Sequence, residues 1–173
     1  MKKRDLHSTA IHVIDTLVHL LMWGMVIALI VFWKKIPDEV PAHYGMDGMV
    51  DRYSDKNAIF LIVFLAVFVY VMHLLIMNVV PVLSGKENIV GQKAAKYATE
   101  EDVRTMLIIV LKLIGWLNVL CLLIFDYLIL CIAACVNLGA LFGLLSLGSI
   151  TVECVYYIVK IYATQRAIIN RES

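Results

Sequence analysis

Among the side chains of this sequence that can do chemistry, His19, His73 and Glu153 form the most suggestive set. Two imidazoles and a carboxylate can bind Zn²⁺ or another divalent cation, and the same groups can relay protons. Each stands inside a long apolar run, as do Asn118, Asp15 and Lys112. Ionisable groups in such runs are costly and face one another rather than lipid. Counted at about 1.5 Å per helical residue from the outer end of each run, His19, His73, Asn118 and Glu153 all fall at about 21–23 Å. Asp15 and Lys112 fall deeper, at about 27 and 31 Å, and are expected to pair, since an unpaired charge there is disfavoured. His12, Asp15 and His19 recur at three and four residues and share one helix face. Two readings of this layer stay open. One is a hydrogen-bonded plug that fixes helix register; the other is a metal site on His19, His73 and Glu153 with hydrolytic or transport activity. Asp126, about 10 Å from the outer end of its run, is expected to meet Arg52 or Lys56.

The elements that must position these groups follow from composition. The chain has 173 residues, 62% hydrophobic and 17% charged. That apolar excess over a soluble domain cannot be hidden in a core of this size. Soluble enzymes, nucleic-acid binders and disordered regulators are thereby excluded. The reading is an all-α integral membrane protein, a single membrane domain over residues 1–173. About 20 apolar residues span a bilayer as a helix, which places four helices at about 12–33, 58–80, 104–133 and 138–162. A turn near Cys135 to Gly139 divides the last two. Ten Lys and Arg residues lie on one side of this threading and four on the other. The basic excess marks the cytoplasmic side, so both termini are expected there in a multi-pass plasma-membrane protein. The basic head resembles a signal peptide, but Phe32 to Lys35 occupy the place of a cleavage site, so an uncleaved first helix is expected. Cys121, Cys131, Cys135 and Cys154 all lie in the last two runs and read as small core residues.

The outer loop, residues 34–57, differs from everything around it, with two prolines, two glycines, five carboxylates, four basic groups and one histidine. Pro37 and Pro41 discourage a continuous helix, and Asp47-Gly48 signals a turn. A structured loop over the mouth of the bundle is expected, with Asp51 and Lys56 paired to pin it. Its run Ile36-Pro37-Asp38, Val40-Pro41, His43-Tyr44-Gly45, Gly48, Asp51 and Lys56 resembles the signature of a bacterial family of small membrane proteins with a domain of unknown function, related to the immunity protein of the sporulation-delaying (cannibalism) toxin system. The likeness covers roughly residues 30–80. It implies a plasma membrane, four or more spans, and protection by some members against an exported peptide toxin. The immunity protein also holds a small repressor at the membrane. Pro37, Pro41, His43, Tyr44, Gly48, Asp51 and Lys56 then become the candidate recognition surface, with architecture as the alternative role.

The cytoplasmic connector, 81–103, reads as a solvated link touching lipid headgroups through Lys93 and Lys96. Thr99 and Asp102 form an N-cap signal for the third span. The expected protein is not an enzyme: no HExxH, Ser/His/Asp arrangement or phosphate-binding glycine motif stands in the sequence. No cofactor is expected beyond a divalent metal in the alternative reading. The expected partners are the lipid bilayer, a peptide toxin at the outer loop, a cytoplasmic regulator, and a further copy in a homo-oligomer; nucleic acid is not among them. An accessory subunit of a membrane transporter is the remaining alternative.

Overall fold

A chain segment in hydrocarbon must satisfy its backbone polar groups internally, which leaves the helix as the form for each long apolar run. The computed structural model describes residues 9–171; the basic head Lys2, Lys3 and Arg4 lies outside them. In chain order it contains α1 (Thr9–Phe32), β1 (Glu39–Tyr44), β2 (Val50–Asp55), α2 (Ile59–Leu83), α3 (Lys86–Val90), α4 (Gln92–Ala95), α5 (Glu100–Ala133) and α6 (Phe142–Ile169). Among the described residues, α1, α2, α5 and α6 are long and apolar enough to cross a membrane.

The helix ends correct several expectations. Helix α2 runs through Pro81 to Leu83, because a proline near a helix end removes one intrahelical bond and the Ser84 N–H still closes on the Val80 carbonyl at 3.0 Å. Helix α5 starts four residues earlier than expected, at a capping box in which Thr99 and Asp102 bond reciprocally. Helix α6 starts and ends later than its apolar run suggests. The all-α expectation also needs amendment: β1 and β2 form an antiparallel hairpin within the first loop.

Helix α5 is the hub. Helices α1, α2 and α6 each pack along it, while α1 and α2 touch each other much less. Gly115 permits the close approach of α1, since a Cβ there would lie 2.5 Å from the Ile14 side chain. The main core joins Ile14, Val18 and Met22 of α1 to Val119, Leu122 and Ile129 of α5, and extends into the hairpin through Val40. A second core lies at the opposite end. There Val90, Ala94 and Ala98 pack on Met106 of α5 and Ile168 of α6. The connector is therefore folded as well as exposed: Val90, Ala94 and Ala98 cover the ends of α5 and α6, while Lys86, Lys93 and Lys96 stay on the surface. Gln165 Nε2 donates to the Val90 carbonyl at 3.0 Å and ties it down.

Candidate functional site

The hairpin end carries the loop motif. The turn between the strands forms as Asp47-Gly48 predicts: Gly48 takes a φ of +75°, and the Asp47 carboxylate accepts from the Met49 N–H at 3.0 Å. Pro41 lies within β1, opposite Tyr53. His43 Nδ1 donates to Asp51 Oδ1 across the hairpin at 2.7 Å. Lys56 Nζ donates to Asp38 Oδ1 at 2.6 Å, and it also stands 5.7 Å from the Trp33 ring centroid. The expected Asp51–Lys56 pair is thus replaced by two pairs, because the hairpin register sets Asp51 beside His43 and folds Lys56 back on residue 38. The hydrogen bond from Lys56, then its charge, holds the Asp38 carboxyl below the usual aspartate range.

Sequence reasoning missed the hairpin's seat. Four contacts fasten it to the turn between α5 and α6. The Leu138 N–H donates to the Gly48 carbonyl at 2.9 Å. Val50 N–H donates to Asn137 Oδ1 at 2.9 Å, and Tyr44 Oη donates to the Val136 carbonyl at 3.3 Å. Cys135 Sγ reaches the Glu39 carbonyl at 3.7 Å. Burial pushes the Tyr44 phenol up to about 12. The signal that could have found this seat was the pair of polar turn-formers Asn137 and Gly139, already visible as the break between two spans. Cys135 and Gly139 there both take positive φ. Strand β1 is partly buried, while β2 is exposed over nearly its whole length. Tyr53 within it and Met46 and Met49 just before it stand exposed.

The intramembrane layer is split. His73, 1% exposed, donates from Nε2 to Asp15 Oδ1 at 3.1 Å. His19 Nδ1 donates to the Asp15 carbonyl at 2.6 Å, and its ring meets Tyr70 edge-on at 5.5 Å. Asp15 is thus paired with His73 instead of Lys112. Asn118 returns its amide to Ile114 of its own helix at 2.7 Å. Glu153 sits on α6, which packs on α5 away from the α1–α2 pair. His19, His73 and Glu153 are not brought together, and among the described residues no three His, Cys, Asp or Glu side chains converge as a metal site. The depth arithmetic set Asp15 in a layer below the two histidines, and the structure joins the two layers there; the lateral order of the helices separates Glu153. Neither Nδ1 of His73 nor Oε1 of Glu153 has a hydrogen-bond partner among the described residues.

Comparison with known proteins bears on the hairpin end. A family model described as "Domain of unknown function (DUF1648)" matches residues 20–67. That span covers the second half of α1, the whole hairpin and the start of α2, and it is similar to an uncharacterised domain family. No curated protein and no solved structure matches the chain.

Proposed function

We propose that this multi-pass membrane protein is a non-enzymatic recognition protein that binds an exported peptide at its hairpin and protects the membrane against it. The observation that carries this reading is the seating on the α5–α6 turn of an exposed strand, β2, whose outer edge pairs with no further strand among the described residues. An extended peptide can add to such an edge through main-chain hydrogen bonds, with side-chain pockets supplying selectivity. His43 and Asp51 offer a polar grip, and Met46, Met49 and Tyr53 an apolar one. The resemblance of the loop motif to proteins related to a toxin-immunity protein supports the same direction, as does the basic excess, which favours a threading with the hairpin on the outer side and both termini on the inner side. A cytoplasmic regulator would then meet the packed connector between α2 and α5, and occupancy of the hairpin would reach it by a shift of α1–α2 against α5–α6. The divalent-metal reading, like that of a transporter subunit or a homo-oligomer, has no comparable support: its ligands do not converge among the described residues.

The test uses the protein in lipid nanodiscs with the secreted peptide fraction of the organism that supplies the gene. Amide exchange at residues 51–55 should slow on adding the fraction, and the slowing should vanish in the His43→Ala/Asp51→Ala double variant. Exchange unaffected by the fraction would refute recognition at this edge.

A further inference from the structure

Asp126 lies seven residues before the hairpin end of α5, about 10 Å into the apolar layer, and has no expected partner left. Lys56 is bonded to Asp38, and Arg52 sits on β2 opposite His43. Among the described residues no ion pair includes Asp126. Its Oδ1 is buried and makes no hydrogen bond. A carboxyl without a partner in an apolar layer is stable only when it takes up a proton or meets a cation or a donor.

Beside it is the space to hold one. A cavity of 250 Å³ lies between α1 and α5, and Asp126 is its one ionisable lining residue. Gly24 and Ala28 of α1 leave the room. Phe32, Ile36 and Ile129 supply apolar walls. Phe32 is exposed at the rim, and the residues lining the slot run from Ile36, at the hairpin end, down to the depth of Asp126. An apolar slot with one carboxylate inside it is complementary to a molecule with one cationic donor on an apolar chain.

We propose that this cavity binds a primary alkylammonium amphiphile, its ammonium bonded to Asp126 and its chain against Ala28, Phe32 and Ile129. The ammonium supplies a counter-charge and N–H donors to the Asp126 carboxylate, which lines the slot. A quaternary ammonium has the charge without a donor, and an alcohol has a donor without the charge. The site stands apart from the hairpin edge and does not depend on peptide recognition there.

Octylamine, octanol and octyltrimethylammonium are titrated by calorimetry against the protein in phosphatidylcholine nanodiscs. Octylamine should bind at least roughly tenfold more tightly than the other two, as a buried charge pair bonded through hydrogen requires. Asp126→Asn, which keeps the side chain's shape, should weaken octylamine by a similar factor. Ala28→Leu, which fills the slot and leaves the carboxylate, should do the same. Infrared difference spectra on adding octylamine should show a carboxyl band change that Asp126→Asn abolishes. Equal affinity for octanol and octylamine, or unaltered octylamine binding in either variant, would overturn the site.

Discussion

Lys56 and Asp38 show how one residue pair sets a pH response in the hairpin. The Lys56 ammonium stabilises the ionised Asp38 carboxyl, so the folded-state value lies below the ordinary 3.8. The resulting stabilisation is complete above that ordinary value and is lost as pH falls through the lowered one. In Lys56→Met the carboxyl should return to the ordinary range. An NMR titration of Asp38 checks this, and an unmoved midpoint would remove Lys56 as the cause. Tyr44 acts in the opposite sense. Its phenol is raised to about 12 because burial disfavours the anion. The stabilisation is fully present below 10.0, the unperturbed value, and is lost as pH rises towards about 12. Tyr44→Phe should cost about 0.5–1.5 kcal/mol in thermal or denaturant unfolding through loss of the bond to Val136. Inside the bundle, His73→Ala should cost more, about 1–3 kcal/mol, because it strands the Asp15 carboxylate in a partly buried place; unfolding in detergent measures the difference. At this scale the sequence was informative about which residues matter and poor on who meets whom. His43, Asp51, Lys56, Asp15 and His73 were all singled out, yet the pairings followed from a hairpin register and a helix rotation that residue spacing does not contain.

The hairpin and the α5–α6 turn behave as one element made from two distant stretches. Gly48 is its tightest joint. Its φ of +75° suits glycine, and a Cβ there would run into the Gly139 carbonyl. Gly48→Ala should therefore destabilise the protein by more than about 1 kcal/mol and release the hairpin from its seat. Proteolysis within residues 39–55 should accelerate while α-helical circular dichroism stays intact. A variant whose hairpin resists protease as well as the parent would contradict that role. The turn residues Asp47 and Gly48 and the break at Asn137 and Gly139 were each legible from local chemistry. Their meeting was not, because long-range hydrogen bonds between loops leave no periodic trace. Thr99 and Asp102, by contrast, form the capping box their spacing announces, since a cap is decided within one turn. The connector shows the same limit from the other side: Val90, Ala94 and Ala98 read as ordinary residues of a polar segment until α6 is seen to extend past the apolar run and cover them.

Across the whole molecule, four spans were legible from length and hydropathy alone. The hub arrangement was not. Helices apolar on nearly every side carry little information about which neighbour each one faces, and that is why the expected layer of His19, His73, Asn118 and Glu153 separates, the two histidines joining Asp15 from the deeper layer while Asn118 and Glu153 stand apart. The end opposite the hairpin is closed by a second fastening: Arg171 reaches the nearly buried Asp102 through two nitrogens, at 2.9 and 3.0 Å. Arg171→Gln should loosen the end of α6 against α5, seen as faster amide exchange at residues 165–169. The effect should shrink at high salt, because the Arg171 side chain is itself exposed. Exchange identical to the parent's at low salt would show that the apolar contacts of Ile168 hold this end alone.

Helix α5 has 34 residues, about 51 Å of continuous rod against about 30 Å of hydrocarbon. It carries the hairpin's seat at one tip and the packed connector at the other, without a kink-forming proline between. A rod of that length pivoting near its middle is a lever: a tilt of about 5° moves each tip by about 2 Å in opposite directions. Whatever presses on the seat displaces the connector by a comparable distance, across the full thickness of the bilayer.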